Sequence, residues 1–176
     1  AMSGGFIKVN GSTGDWIAPE MSGGKLHITG NSGHCIASAY RGASKGVTGG
    51  EIIIEGNVKN ELGHAMAGAT MIVGGKCGDF TGVNMVSGTI LAFGEMGQRT
   101  GAGMKRGSII CMDDVKVLPT FSYDCKYSPV YLKLLFKYVK ENTTIEIEDK
   151  YADGLFHRWS GDAIEMNRGE LLVYSA

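Results

Sequence analysis

The sequence predicts an all-β solenoid, a right-handed parallel β-helix of about six 19-residue coils with a C-terminal helix packed on it. Three observations predict this class: a 19-residue register, two alternating apolar positions in every unit, and glycines that recur in phase. A unit this short cannot bury its own apolar face, so successive units have to stack. The units, here repeats 1 to 6, begin at Met2, Met21, Val47, Met66, Met85 and Met104, with a seven-residue insertion before Val47.

Each repeat contains one short strand. Offsets 5 and 7 from the start of each repeat are occupied by Ile7/Val9, Leu26/Ile28, Ile52/Ile54, Met71/Val73, Ile90/Ala92 and Ile109/Cys111. Alternation with period two is typical of a strand. Because 19 residues leave no room for a crossover helix, the strands are expected to pair in parallel, about 4.8 Å apart. The right hand follows the rule for parallel crossovers.

The glycines recur mainly at offsets 3, 9, 12 and 16, where the chain has to turn. Glycine tolerates positive φ and close backbone stacking, so the in-phase glycines are interpreted as corners. The segment GQRTGAGMKRG resembles a phosphate-binding loop, but no Walker motif and no GxGxxG between a strand and a helix is present. The sequence therefore predicts no cofactor bound by this chain.

Length and composition predict one domain, with repeats over 1–114 and a helix and a returning strand over 115–176. The net charge of −1 gives no basis for a nucleic-acid partner. No signal peptide or 18-residue apolar run is present, so no membrane association is expected and the predicted location is cytoplasmic. The four cysteines form no CxxC pair, which disfavours a metal site or a disulfide framework.

One helix is predicted at about 129–141, with Ser128 as the N-cap and Pro129 at the first helical position. Offset 6 of repeats 3 to 6 should face outward, yet it is apolar: Ile53, Ile72, Leu91 and Ile110. An apolar strip of this kind on a protein surface is normally covered by another structural element or by a partner. We expect Leu132, Leu135, Phe136 or Val139 to pack on Ile72, Leu91 or Ile110. Three lysines should then remain in water: Lys133, Lys137 and Lys140.

The insertion supplies the segment Tyr40–Gly46, which has to bulge from the stack. It is either a binding surface, as inserted loops on repeat proteins often are, or a solvated loop. The candidate partner-binding residues are Tyr40, Arg41 and Lys45 in this loop, together with Lys105 and Arg106 in repeat 6.

A polar ladder is predicted at offset 13, formed by Asp15, His34, Asn60, Asp79 and Gln98. Side chains of this type at turns usually bond to backbone groups. No third ligand or base converges on the ladder, so no catalytic and no metal-binding residue is predicted.

The glycines at offsets 9, 12 and 16 resemble those of the GXGXG β-helix family. This family includes the C-terminal domain of the glutamate synthase large subunit and the β-helix subunit of formylmethanofuran dehydrogenase. The dehydrogenase branch is the closer match, through AYRGASKGVTGGEIIIEGN, GAGMKRGSII, LPTFSYDC and the closing GD…GE. The segment LPTFSYDC is more similar to the bacterial relative, the β-helix subunit of the formyltransferase/hydrolase complex.

The resemblance implies a non-catalytic structural subunit of a one-carbon enzyme complex that handles formyl groups, in methanogenesis or methylotrophy. Its partners would be the other subunits, and the complex would use a methanofuran-like carrier and tetrahydromethanopterin. The resemblance also implies further coils ahead of repeat 1. The alternatives are a stand-alone GXGXG interaction module, a glutamate synthase-like domain, or an enzyme like the pectin-cleaving β-helix proteins, which would need clustered charged side chains on one face.

Overall fold

The computed structural model describes residues 1–175 and contains one open, nine-stranded mixed sheet with one α-helix. The strand order across the sheet is β1-β2-β3-β4-β5-β6-β9-β8-β7. The elements are β1 (Ser3–Val9), β2 (Gly23–Ile28), β3 (Glu51–Ile54), β4 (Ala67–Val73), β5 (Ser87–Ala92), β6 (Ser108–Cys111), β7 (Ser122–Tyr127), α1 (Tyr131–Asn142), β8 (Leu155–Gly161) and β9 (Gly169–Ser175). Short 3-10 turns occupy Asp149–Tyr151 and Ala163–Glu165.

Strands β1 to β6 pair in parallel, each with the strand of the next repeat. Met71 lies opposite Ile52 and Ile90, so the offset-5 residues stack directly on one another. From repeat 2 onward the side chains at offsets 5 and 7 are at most 5% exposed and form one core. The 19-residue spacing therefore sets the register of this part of the sheet as predicted.

The predicted six-coil parallel β-helix is nevertheless wrong. Only one face of the repeats carries continuous strands, and the return segments meet through single parallel bridges that join Ser32, Val58, Cys77 and Met96. These segments are interrupted by left-handed backbone at offsets 14 and 16, where even non-glycine residues such as Cys35 and Phe80 have φ near 60°. An extended strand cannot continue through such residues.

The C-terminal part contributes three strands where one returning strand was expected. Strand β9 pairs in parallel with β6, whereas β8 runs antiparallel to both β9 and β7. The sheet is mixed for this reason. These strands protect the edge that β6 would otherwise expose to intermolecular pairing.

Helix α1 begins at Tyr131 and ends at Asn142, close to the predicted 129–141. The predicted Ser128 cap is wrong, because the N-cap is Val130 and no side chain bonds the first turn. The buried face of the helix is formed by Leu132, Phe136 and Val139. They share an apolar cluster with Ile53, Ile72, Leu91 and Ile110, while Lys133, Lys137 and Lys140 are exposed, as predicted.

Helix α1 and the segment after it also reach back across the sheet to repeats 2 and 3. The Tyr138 hydroxyl donates to Glu51 Oε2 at 2.6 Å and accepts from Lys25 Nζ at 2.6 Å. Thr144 donates to Glu55 through both its backbone N–H, at 3.2 Å, and its hydroxyl. We call residues 131–148 the strap, because this segment leaves the sheet at β7 and is fixed to strands that lie far away in sequence.

Candidate partner-binding surfaces

The insertion of repeat 2 is an ordered loop at the β1 end of the molecule. The Tyr40 ring stacks on Trp16, with centroids 5.5 Å apart and planes 15° from parallel. The loop is closed by a turn in which Ala43 N–H donates to Tyr40 O at 2.9 Å, and Gly46 N–H fixes its end to Ala65 O at 2.9 Å. The side chains of Arg41 and Lys45 extend into solvent between these anchors. The loop thus presents one aromatic ring and two cations.

Beside this loop lies an apolar hollow of about 410 Å³ at the open end of the core. Its wall includes Ile7, Val9, Ile17 and Tyr40. Ile7 is 49% exposed, although the residues at the same offset in later repeats are buried. Phe6, at 60% exposure, extends the apolar surface along β1. This end of the sheet is therefore a broad apolar surface with the Trp16–Tyr40 pair at its rim.

The other two predicted contact residues lie elsewhere. Lys105 and Arg106 are exposed in the turn that precedes β6, and Lys105 N–H donates to Met85 O at 2.7 Å. Four repeats separate this turn from the loop of repeat 2, which corresponds to about 19 Å at 4.8 Å per repeat. The five candidate residues therefore form two patches rather than one surface.

The offset-13 ladder has the structural role that the sequence indicates. Asp15 Oδ1 accepts from His34 N–H at 2.7 Å, and Asp79 Oδ1 accepts from Gln98 N–H at 2.8 Å. A second ladder at offset 10, which sequence analysis missed, runs in the same way from Asn31 Oδ1 to Asn57 N–H at 2.7 Å. In both ladders a side chain of one repeat bonds the backbone of the next. These hydrogen bonds join each repeat to the next.

Three of the four cysteine thiols have raised pKa values. The pKa of Cys35 is raised mainly by burial and further by the negative charges of Glu61 and Asp15. The Cys35 Sγ donates to Glu61 Oε2 at 3.9 Å. Burial raises the pKa of Cys77 to about 12 and also raises the pKa of Cys111. A thiol is a weak nucleophile until it ionises, so a raised pKa lowers the reactivity of these three side chains.

One buried ionisable pair was missed at the sequence level. His27 Nε2 lies 2.7 Å from Glu55 Oε1, and the two side chains are 6% and 9% exposed. Burial alone would raise the pKa of Glu55, but hydrogen bonds from Thr144 and His27 outweigh it and lower the pKa. The pair lies beneath the strap and so joins two parts of the fold, and Glu55 also lines a hollow of about 360 Å³ together with Thr144 and Tyr151. The register places His27 at offset 6 of repeat 2 opposite Ile53 of repeat 3, two residues before Glu55, so the repeat contained a signal for this pair.

A second charged cluster joins the C-terminal strands to the repeats. Arg158 bridges the carboxylates of Asp124 on β7 and Glu170 on β9, and Ser108 Oγ of β6 donates to Glu170 Oε1 at 2.5 Å. Over residues 1–175 no group of three or more His, Cys, Asp or Glu side chains could hold a metal ion. In the same range no helix is long and apolar enough to cross a membrane.

Stacked backbone repeats, joined by hydrogen bonds from the side chains of one repeat to the backbone of the next, define a repeat-built protein. The chain belongs to the family described as the GXGXG motif, whose model matches residues 1–144.

The chain is also similar to a solved structure over nearly its whole length. The chain is similar to a chain in the X-ray crystal structure of the formyltransferase/hydrolase complex from Methylorubrum extorquens, in complex with methylofuran. The identity is 29% and the TM-score is 0.88, over 99% of this chain and 65% of that chain. The present chain thus spans somewhat less than two thirds of that relative. No curated protein matches the sequence significantly.

Proposed function

We propose that this chain is a non-catalytic structural subunit of a formyl-transferring complex of the formyltransferase/hydrolase type. The observation that carries the proposal is the likeness in fold to the Methylorubrum extorquens chain over 99% of the present chain at 29% identity. The arrangement of polar groups supports the non-catalytic role, because Asp15, Asp79 and Glu55 are all engaged in hydrogen bonds that hold the fold.

In this proposal the partners are the other subunits of the complex, in the cytoplasm. A methanofuran-like carrier and tetrahydromethanopterin would be bound by those subunits. The methylofuran in the similar structure supports a carrier of that class. The two contact patches would be Tyr40, Arg41 and Lys45 at the β1 end, and Lys105 and Arg106 before β6. Tyrosine and arginine are among the residues most enriched in energetically dominant interface contacts.

The test is isolation of the tagged chain from its own cells, with identification of the co-purifying chains by mass spectrometry. We expect stoichiometric recovery of formyltransferase and hydrolase subunits, together with turnover by the complex but not by the chain alone. Recovery of an amidotransferase chain would instead favour the glutamate synthase-like alternative, and recovery of the chain alone the stand-alone module. Turnover by the isolated chain would refute the non-catalytic role.

Point variants then locate the interface. Replacing Tyr40 and Arg41 by Ala should weaken assembly at least tenfold, because two contacts of this type together contribute about 2 kcal/mol or more. Lys105→Ala with Arg106→Ala tests the second patch separately. Lys116→Ala is the matched control, since Lys116 is an exposed lysine outside both patches. Equal assembly by all these variants would exclude both patches from the interface.

A further inference from the structure

Three cations without a counter-charge lie together where β6 and β9 begin. Arg106 and Arg168 each come two residues before a member of the pair Ser108–Glu170, whose residues lie opposite each other in the parallel register. Lys105 precedes Arg106, and all three basic side chains are exposed. Among residues 1–175 none of the three forms an ion pair. This end of the sheet therefore has a local excess of positive charge, although the net charge of the chain is −1.

The exposed lysines of helix α1 are different in this respect. Lys133, Lys137 and Lys140 each have a carboxylate of this chain within 2.5 to 3.9 Å. Their charges are compensated inside the chain, so they attract an acidic partner less strongly than the three cations beside β6 and β9 do.

The turn between β8 and β9 adds two apolar side chains to these cations. Ile164 is 75% exposed and Met166 is 74% exposed, and neither belongs to either apolar cluster of the fold. We call the whole group the β9 patch. It consists of Lys105, Arg106, Ile164, Met166 and Arg168.

The exposure of Met166 is unexpected from the register. Because Ser108 lies opposite Glu170, Met166 is in phase with Met104 and with the other methionines that begin repeats. Those of repeats 2, 4, 5 and 6 are at most 1% exposed, whereas Met166 points away from the core. Its φ of 66° is in the left-handed region that favours glycine. A large apolar side chain in such a conformation, and in water, indicates a role outside the chain.

A buried carboxylate fixes the β8–β9 turn. Asp162 is 2% exposed, and its Oδ1 accepts from Ile164 N–H at 3.1 Å. Its Oδ2 accepts from Gly103 N–H at 2.9 Å, which joins this turn to the one before β6. Glu170 N–H donates to Gly107 O at 3.0 Å on the other side of the cations. The two turns are thus held side by side before any partner binds, and a preorganised surface loses less entropy on binding.

We propose that the β9 patch docks on a partner polypeptide whose surface has an apolar pocket surrounded by carboxylates. Ile164 and Met166 enter the pocket, while the three cations pair with the carboxylates around it. Arginine is suited to this role because its guanidinium can donate two parallel hydrogen bonds to one carboxylate. The inference rests on the proposed function in requiring that the chain has a partner, and it identifies the chemistry of the surface that meets Lys105 and Arg106.

An anionic lipid surface is the other occupant that combines negative charge with an apolar interior. Recruitment to such a surface by charge uses clusters of about four to eight lysines and arginines, and the β9 patch has fewer. Two apolar side chains in a turn also bury much less surface in lipid than the apolar face of an amphipathic helix does. The composition of the patch therefore favours a protein partner.

The first test uses the complex isolated from its own cells with the tagged chain. A carbodiimide condenses the Lys105 amine with a touching carboxylate into an amide, and the carbodiimide leaves as its urea. Peptide mass spectrometry then identifies the residue joined to Lys105. We expect an aspartate or glutamate of a partner chain.

The second test measures assembly of variants. Arg106→Glu with Arg168→Glu should weaken assembly at least about tenfold, because both charges then repel the carboxylates. Met166→Gly should weaken it at least about fivefold. The melting temperature of the isolated Met166→Gly chain should not fall, since glycine suits the left-handed backbone. The matched control is Lys59→Glu with Lys116→Glu, which reverses two exposed lysines elsewhere and should assemble as the parent does.

The outcomes separate this inference from the proposed function. A complex that forms equally well with both patch variants would refute the inference and leave the proposed function standing. Recovery of the parent chain without any partner would overturn both. An equal loss of assembly in the control would show that the charge effect is not specific to the patch, and would refute it. Binding of the parent chain to vesicles of phosphatidylcholine and phosphatidylserine, abolished by the charge reversal, would assign the patch to a lipid surface instead.

Discussion

Phe136→Ala is the most direct test of how the strap is attached to the sheet. Phe136 is 2% exposed, and its ring lies 6.2 Å from that of Phe93 and 6.5 Å from that of Tyr151. Truncating a buried phenylalanine to alanine costs about 3–5 kcal/mol, through lost transfer energy and the cavity left behind. We expect about 4 kcal/mol, since the aromatic neighbours on both sides leave little room for collapse. For a chain of this size this lowers the melting temperature by about 8–16 °C.

The assay is equilibrium unfolding in guanidinium chloride, monitored by circular dichroism and by the fluorescence of Trp16 and Trp159. Leu134→Ala is the matched control, because Leu134 is on the same helix but is 74% exposed. It should change the free energy of unfolding by less than about 0.5 kcal/mol. A cost below about 1 kcal/mol for Phe136→Ala, or equal costs for the two variants, would show that the helix is not held by this face.

Two further substitutions test the buried pair and the ladder. Glu55→Gln should cost about 1.5–3 kcal/mol at pH 7, because charged hydrogen bonds from His27 and Thr144 are lost. The pKa of Glu55 is lowered in the folded state, so this stabilisation is complete above the ordinary value of 4.5 and fades as the pH falls through the lower folded value. Urea unfolding between pH 7 and 3 measures it, and a gap between variant and parent that stays constant to pH 3 would contradict the assignment. Asp79→Ala should cost about 1 kcal/mol by leaving Gln98 N–H without its acceptor, whereas Asp79→Asn should be nearly neutral in thermal unfolding. Equal melting temperatures for these two variants would contradict the role of the ladder.

The 19-residue spacing was sufficient to predict the parallel pairing of β1 to β6 and the helix lying on Ile72, Leu91 and Ile110. Both rest on local periodicity, which is visible in a single sequence. Strands β7 and β8 were not predicted, because neither has a counterpart in the repeat and their pairing joins residues such as Tyr127 and Phe156 across an intervening helix. The left-handed residues at offset 14 were also missed, since Trp16, Cys35, Glu61, Phe80 and Arg99 share no residue type.

The candidate contact surfaces could be predicted only in part. The exposure of Arg41 and Lys45 follows from the insertion, which has no place in the register. The stacking of Tyr40 on Trp16 could not be predicted, because it depends on the side-chain geometry of two neighbouring repeats. The burial of His27 could likewise not be predicted, since the strap that covers the His27–Glu55 pair lies far away in the sequence.

The strap affects how cooperatively the repeats unfold. A stack in which each repeat contacts only its neighbours loses its repeats one at a time from a free end, and its unfolding is not a single transition. Here Tyr138 and Thr144 tie repeat 3 to a segment that lies beyond repeat 6 in the chain, across sequence separations of 87 and 89 residues, and Tyr138 also ties repeat 2 across 113 residues. Opening any of the intervening repeats therefore also disturbs these bonds, which makes repeats 2 to 6 a single cooperative unit. Repeat 1 lies outside that unit, and among residues 1–175 its strand pairs with β2 alone, so we expect repeat 1 to unfold independently of repeats 2 to 6.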